Sequence, residues 1–152
     1  MLKFIFLTCL IFLSTCSSPE KKVVKKFSST KEQAIGVYQE GLEALEKSDY
    51  FYASKKFGEA EMLLPQSDWA AKSSLMSAYC LYSINFYDEA ILNLERFIKT
   101  YPASKNIDYA YYLIAISYYE QILDEQKDSK PLLKSKEKIQ FFLKKYPDTD
   151  YA

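Results

Sequence analysis

The sequence predicts an all-α fold, in which helix pairs stack into a right-handed superhelical solenoid that follows a signal peptide and a flexible tether. Three observations support this prediction. First, the 152 residues include only three glycines, whereas strands joined by tight turns would need Gly and Asn at those turns. Second, Ala, Leu, Lys and Glu, which favour helix, are abundant. Third, a pattern of small and large apolar residues ending in proline recurs along the chain.

The composition also narrows the class of function. Twenty Lys and Arg residues balance twenty Asp and Glu residues, so the net charge does not point toward nucleic acid as a partner. The chain has no histidine, which removes the commonest general base and the commonest metal ligand. Three scattered glycines cannot build a phosphate-binding loop. We therefore expect a non-enzymatic protein without a metal or another cofactor.

Residues 1–15 have the arrangement of a signal peptide. Lys3 precedes an apolar run at 4–13, which is too short to cross a hydrocarbon core of about 30 Å as a helix but has the length of a signal-peptide core. The motif LSTC, which ends at Cys16, resembles a bacterial lipobox. The resemblance implies that Cys16 begins the mature chain and carries a diacylglyceryl thioether and usually an acylated amine, which together would give a stable membrane anchor.

Two residues beside Cys16 bear on this interpretation. Thr15 departs from the lipobox pattern, which usually has Gly, Ala or Ser before the cysteine. Two alternatives to a lipoprotein signal remain: an ordinary secretory signal that is cut a few residues later, and a mispredicted start site upstream of a soluble protein. Ser17 resembles the residue that follows the cysteine in lipoproteins sorted to the outer membrane. The expected location is the cell outer membrane, with the chain lipid-anchored and facing the periplasm.

The segment 16–30 has the composition of a lipidated tether, because it is rich in Ser and Lys and contains little apolar material. It ends at a capping-box pattern, Ser29-x-x-Glu32, in which each side chain satisfies a free amide at a helix start. The first helix is therefore expected to begin directly after the tether.

The cysteines are predicted to form no disulfide within the mature chain. Cys9 leaves with the signal peptide and Cys16 is modified, so Cys80 has no partner. We expect Cys80 to be a small buried apolar residue on a helix, since no cationic neighbour is evident that would lower its pKa.

Three segments that begin with proline are near copies of one another. PQSDWA begins at Pro65 and PDTDYA at Pro147, while PAS at Pro102 is followed by DYA after three inserted residues. A small residue lies twelve positions before each proline, and apolar residues follow it after four and seven positions. These residues are Ala53, Phe57 and Ala60; Ala90, Leu94 and Phe97; and Ser135, Ile139 and Phe142.

A further small residue lies twelve positions before two of these, because Gly41 precedes Ala53 and Ala78 precedes Ala90. The combination resembles the tetratricopeptide repeat. Small residues let the two helices of a pair approach closely, and proline ends the second helix. A plain helical bundle is the alternative.

This register predicts the domain boundaries. A polar loop at 123–130 separates the two helices of the third repeat, and Pro131 suits the first turn of the helix that follows. The predicted segments are a signal peptide at 1–15, a tether at 16–30, repeats at 31–65, 66–102 and 103–147, and the start of a truncated fourth repeat at 148–152.

The first helices of the pairs are expected to line a concave inner surface, on which residues three, four and seven positions apart share a face. Tyrosine offers a large, rigid contact area at a low entropic cost, which suits a surface that binds extended peptide. Packing between neighbouring pairs is the alternative explanation. The predicted groove consists of Tyr38, Leu42, Leu45, Leu75, Tyr79, Tyr82, Tyr109, Tyr112, Ile116 and Tyr119.

The predicted groove contains no Lys and Asn set like the one with which tetratricopeptide co-chaperones clamp a C-terminal carboxylate. Binding of chaperone tails is therefore disfavoured. Carboxylate pairs such as Glu59 and Glu61, or Asp88 and Glu89, are predicted to lie in solvent on the outer faces of amphipathic helices.

The signal, lipobox, tether and repeats together resemble the BamD (ComL) family of outer-membrane lipoproteins of the β-barrel assembly machinery. The segment NIDYAYYLIAISYYEQI at 106–122 is the most specific match, and YQEGLEALEKSDYFYASKKFGEAEMLLPQSDWA and LMSAYCLYSINFYDEAILNLERFIKTYP also match. Family members continue through further repeats. The resemblance implies a scaffold that works with BamA and other lipoproteins and that helps receive and insert nascent outer-membrane proteins through their aromatic-rich C-terminal segment.

Two other functions remain open from the sequence. A periplasmic tetratricopeptide protein of the Tol-Pal or cell-division type has similar repeat ends but is usually a soluble secreted protein. The helical accessory domain of a peptidoglycan-cleaving enzyme would require a catalytic domain elsewhere in its chain.

Overall fold

The computed structural model describes residues 29–65, 67–124 and 129–152, without the side chains of 123 and 124. The predicted signal peptide, Cys16 and the tether up to residue 28 lie outside the described residues. Within the described part the chain is all-helical, which confirms the predicted fold class at that level. The helices are α1 (Thr30–Glu46), α2 (Tyr50–Leu63), α3 (Asp68–Ser83), α4 (Tyr87–Thr100), α5 (Ile107–Asp124) and α6 (Lys130–Lys145).

Each helix packs against the next one along the chain, and α3 also contacts α5. None of the helices in the described ranges is both long and apolar enough to cross a bilayer.

Short polar side chains begin the first three helices. The Ser29 hydroxyl accepts a hydrogen bond from the Glu32 amide at 3.2 Å, which confirms the serine half of the predicted capping box. The Asp49 carboxylate accepts from the Tyr52 amide at 3.1 Å, and the Ser67 hydroxyl accepts from the Ala70 amide at 3.0 Å. These bonds satisfy amides that have no partner in the first turn of a helix.

Proline ends the second helix of each pair, as predicted. The helices α2, α4 and α6 all end two residues before a proline, namely Pro65, Pro102 and Pro147, because the residue before proline is pushed out of the helical region. Within the first two pairs, the turns contain Ser48 and Asn85 in the left-handed region, with φ values of 59° and 63°.

The repeating small and large residues form the core. Ala53 and Phe57 in α2, and Leu94 and Phe97 in α4, are fully buried. Gly41 of α1 lies against Phe57, and a Cβ atom at this glycine would stand 2.8 Å from the ring. The close approach of α1 and α2 therefore depends on the absence of a side chain at residue 41.

The third pair follows the same register with small differences. Ser135 and Phe142 are buried, while Ile139 is half-buried. Helix α5 continues to Asp124, so it extends two residues into the predicted loop at 123–130, and Pro131 lies in the first turn of α6 as predicted. Residues 147–152 form turns, and the start of a fourth repeat at 148–152 stays a prediction.

The prediction that Glu61 is solvated is wrong. Its side chain is 10 % exposed, and its carboxylate accepts two hydrogen bonds from Arg96, at 2.6 Å and 2.8 Å. The hydroxyl of Tyr101 donates a third at 3.0 Å. Burial alone would raise the pKa of Glu61, but the hydrogen bonds and charge of Arg96, together with Tyr101 and Ser74, outweigh burial and lower that pKa.

This network fixes α2 against α4. The Arg96 guanidinium also donates to the Ser74 hydroxyl of α3 at 3.1 Å, so one side chain ties three helices. Arg96 is the only arginine in the sequence, and a planar guanidinium can bind both oxygens of a carboxylate, which an ammonium cannot do in the same way. The lone arginine is the sequence signal that could have indicated a buried carboxylate partner.

Candidate functional site: a tyrosine-lined cavity

A cavity of about 360 Å³ lies between α3, the start of α5 and the segment 147–152. We refer to it as the tyrosine cavity. Its volume is within the range of small-ligand sites. It is lined by Lys72, Leu75, Met76, Tyr79, Asn106, Tyr109 and Tyr151.

Aromatic rings form one end of this site. Tyr109 and Tyr112, on successive turns of α5, have ring centroids 6.1 Å apart. The ring of Tyr151 lies 5.0 Å from Tyr109 and 5.2 Å from Tyr112, and it is stacked on the latter at 23°. The Thr149 hydroxyl donates to the Asp108 carboxylate at 2.7 Å, which fixes the segment that carries Tyr151.

Burial favours the protonated form of two hydroxyls in this neighbourhood, those of Tyr109 and Tyr82. Burial raises the pKa of Tyr109 to about 12, and the neighbouring Tyr79, Tyr151 and Tyr112 add to this effect. Burial also raises the pKa of Tyr82, with a further contribution from the charge of Glu120. These two hydroxyls can therefore donate hydrogen bonds.

The structure brings five of the predicted groove residues into one neighbourhood, namely Leu75, Tyr79, Tyr82, Tyr109 and Tyr112. Tyr79 packs against both the core of the first helix pair and the core around Leu75. Tyr79 therefore takes part in the packing of two neighbouring core clusters.

Other predicted groove residues lie apart from this neighbourhood. Tyr38 is only 4 % exposed, because Phe57 and Trp69 cover its ring at centroid distances of 5.1 Å and 5.3 Å. Leu42 and Leu45 are partly buried against the same core. Tyr119 is half exposed. Ile116 is half-buried.

The sequence prediction left a lysine and an asparagine out of the groove. Lys72 and Asn106 line the tyrosine cavity beside Tyr79 and Tyr109. Lys72, Leu75 and Tyr79 stand at positions i, i+3 and i+7 of α3, so the helical periodicity that selected the apolar residues also includes the lysine. The prediction missed it because only apolar residues were selected on that face.

Tyr151, like Met76, lines the site but was not predicted as a groove residue. In the proline register it corresponds to Trp69, since each lies four positions after a proline. Trp69 packs on Tyr38 in the first pair much as Tyr151 packs on Tyr109 in the third. The repeat itself therefore contained the signal for this contact.

A family model described as "YfiO: Outer membrane lipoprotein" matches residues 30–152. The chain belongs to the YfiO family. The match covers α1 to α6 and the tyrosine cavity, so these features are all parts of a YfiO-type chain.

Several proteins similar to this YfiO-family chain are named "Outer membrane protein assembly factor BamD". The protein from Caulobacter vibrioides is 33 % identical over 90 % of this chain and 44 % of its own length. The protein from Rickettsia prowazekii is 37 % identical over 76 % and 46 %, respectively, and the one from Neisseria meningitidis serogroup A is 27 % identical over 92 % and 56 %. The chain thus spans about half the length of the curated relatives it matches.

Proposed function

We propose that the chain is a non-enzymatic, lipid-anchored scaffold of the outer membrane that takes part in β-barrel assembly and binds segments of nascent outer-membrane proteins. The observation that carries this proposal is the family match over 30–152, together with relatives named as outer membrane protein assembly factors. BamA and the other lipoproteins of the assembly complex are the expected partners.

We further propose that the three helix pairs form a right-handed superhelical solenoid with repeats at 31–65, 66–102 and 103–147. The fully buried residues of the proline register support this architecture, because the same positions pack in successive pairs. In a solenoid of this kind α1, α3 and α5 line the inner surface, and the tyrosine cavity is located between α3 and α5.

The tyrosine cavity is the proposed peptide-binding site. Its tyrosine rings supply apolar contact and their hydroxyls supply hydrogen bonds, which together suit the alternating apolar and aromatic residues of an extended segment. Tyr82 and Tyr112 adjoin the cavity, and Tyr119 extends the proposed surface along α5. Tyr38 and Leu42 support this surface from the adjoining core.

Peptide titration tests this function. An aromatic-rich peptide from the C-terminus of an outer-membrane protein, added to the full chain in detergent micelles, should give saturable binding by fluorescence anisotropy. The double variant Tyr79→Ala with Tyr112→Ala should bind at least about tenfold more weakly, since each truncated aromatic anchor removes on the order of 1 kcal/mol or more. Tyr52→Ala is the matched control, because Tyr52 is 45 % exposed on α2 and lies outside the cavity.

The outcome separates a binding surface from simple packing. Equal affinity of the wild type and the double variant, with both shown to be folded by circular dichroism, would rule out the tyrosine cavity as the peptide site. An equal loss in the Tyr52→Ala variant would indicate nonspecific attraction to exposed rings.

The membrane anchor has its own test. We propose that Cys16 carries the lipid and that 16–30 is the tether. Mass spectrometry of the N-terminal peptide of membrane-extracted protein should show a diacylglyceryl group on Cys16, and Cys16→Ser should release the chain from the membrane fraction. An unmodified N-terminus that begins after Cys16 would contradict the anchor.

A further inference from the structure

A second cavity adjoins the tyrosine cavity and shares two of its wall residues. It has a volume of about 730 Å³ and lies between the start of α3 and the segment 100–106 that leads into α5. Lys72 and Asn106 line both cavities, so they mark the junction between them. The other polar walls of this second cavity, here called the polar cavity, include Ser67, Asp68, Thr100, Ser104 and Lys105.

The polar cavity contains more positive than negative charge. Lys72 and Lys105 contribute two cations and Asp68 contributes one carboxylate. Within the described ranges, neither ammonium lies in an ion pair. By contrast, Lys56 on α2 is paired with two carboxylates, at 3.0 Å and 3.1 Å. An anionic group at the junction could therefore bind these two cations without breaking an existing ion pair.

Tyr38 helps to hold Lys72 at this junction. The Lys72 ammonium lies 5.4 Å from the centroid of the Tyr38 ring, within the range of a cation–π contact. Because Phe57 and Trp69 fix that buried ring, Lys72 has a defined position beside the tyrosine cavity. The buried tyrosine thus contributes to the site through the lysine rather than through its own surface.

We propose that the two cavities together bind a peptide in which an aromatic side chain is next to a carboxylate, with Lys72 and Lys105 as the residues that determine this specificity. The ring enters the tyrosine cavity and contacts Tyr79 and Tyr109. The carboxylate lies at the junction, where Lys72 can donate a charge-assisted hydrogen bond and Asn106 can donate through its amide. This inference rests on the proposed peptide binding and names the chemistry that the site selects.

Two sources could supply this chemistry. A C-terminal aromatic residue carries the carboxylate on its own backbone, whereas an internal aromatic residue needs a neighbouring Asp or Glu. Three versions of one short fluorescent peptide distinguish these sources: a free acid that ends in phenylalanine, the same peptide as a C-terminal amide, and the amide with an Asp next to the phenylalanine.

The three peptides are titrated against the full chain in detergent micelles at low salt. We expect the free acid to bind about tenfold more tightly than the plain amide, the size typical of a charge-assisted hydrogen bond in a partly exposed site. Affinity of the Asp-containing amide equal to that of the free acid supports side-chain carboxylates as ligands. Affinity equal to that of the plain amide supports selection of the chain terminus.

Variants assign the selection to the lysines. Lys72→Gln should reduce the acid-to-amide affinity ratio at least about threefold, and Lys72→Gln combined with Lys105→Gln should bring it close to one. The affinity of each variant for the plain amide is measured in the same titration, so that the ratio reports the contribution of the carboxylate and not a general change in peptide binding. Lys55→Gln is the matched control, because this exposed lysine of α2 lines neither cavity and its loss should leave the ratio intact.

The results separate this inference from the proposed function. Equal binding of the acid and the amide by the wild-type chain would overturn the role of the lysines and leave the tyrosine cavity as a peptide site. Absence of binding by all three peptides would overturn both proposals. An acid preference that survives in the double lysine variant would also overturn the assignment.

Discussion

Replacing Gly41 with alanine tests the packing between α1 and α2. The added Cβ would lie 2.8, 2.9 and 3.1 Å from three ring atoms of Phe57, whereas carbon atoms in favourable contact are about 3.5–4.0 Å apart. Phe57 is fully buried, and the Tyr38 ring lies 5.1 Å from it. The ring can move away only by displacing other core residues.

The size of the effect follows from two opposing contributions. Overpacking a close-packed core costs typically 1–3 kcal/mol, while replacing glycine by alanine inside a helix gains about 1 kcal/mol. We therefore expect Gly41→Ala to lower the free energy of unfolding by roughly 0–2 kcal/mol. Measured alone, such a small net change would be hard to interpret.

Gly58 provides a matched control within α2. Its nearest neighbour to an added Cβ would be the Ser77 hydroxyl at 4.0 Å, an ordinary contact. Gly58→Ala should therefore gain the helix propensity without the overpacking and stabilise the protein by up to about 1 kcal/mol. The difference between the two variants isolates the overpacking contribution, which we expect to be about 1–3 kcal/mol.

Urea unfolding followed by circular dichroism measures this difference, provided that the dependence on urea is the same in both variants. Phe57→Leu gives a second test, since a smaller side chain opposite residue 41 should reduce the cost of Gly41→Ala in a double-mutant cycle. Equal stabilisation by both alanine variants would refute the close approach of α1 to Phe57.

Three further predictions concern the core, the buried carboxylate and the thiol. Leu94→Ala should lower the free energy of unfolding by about 2–5 kcal/mol in urea, while Leu92→Ala, at a residue that is 68 % exposed, should change it by less than about 0.5 kcal/mol. Because the pKa of Glu61 is lowered in the fold, its ionised carboxylate stabilises the protein above the unfolded-state pKa, and this stabilisation is lost on acidification. The melting temperature of Glu61→Gln should therefore fall less between about pH 5 and pH 3 than that of the wild type. Parallel curves of melting temperature against pH would contradict this. Burial raises the pKa of Cys80 to about 12, so peptide mapping after iodoacetamide treatment should show Cys80 alkylated only when urea is added; rapid labelling of the native chain would contradict its burial.

Much of the fold could be predicted from the sequence because its determinants are local. Proline acts on the preceding turn, so the ends of α2, α4 and α6 follow from three residues. The small and large apolar positions repeat at a fixed distance from proline, and this register correctly indicated buried residues such as Ala53 and Phe57. Chain-local rules suffice where a residue acts on its own helix or on its immediate partner.

The site could be predicted only in part because its contacts join distant residues. Periodicity placed Tyr79 and Tyr109 on the inner faces of their helices, and the structure brings them to one cavity. Arg96 of α4 contacts Glu61 of α2 and Ser74 of α3, and no spacing rule specifies which carboxylate an arginine reaches. Tyr38 was predicted as a groove residue, but Trp69 covers it, which depends on how successive pairs are rotated against each other.

Two of the three residues inserted after Pro102, Lys105 and Asn106, line the polar cavity. The connection from α2 to α3 consists of 64–67, whereas that from α4 to α5 consists of 101–106. Between the first and second pairs, Trp69 lies four residues after Pro65. Its ring packs on Tyr38 and therefore covers the Tyr38 ring. Between the second and third pairs the connection is longer, so Tyr109 lies farther along the chain from its proline. This connection contributes Lys105 and Asn106 to the wall of the polar cavity. The insertion that lengthens this repeat therefore supplies polar groups beside the tyrosines. The candidate site thus lies where the spacing of the repeats departs from regularity.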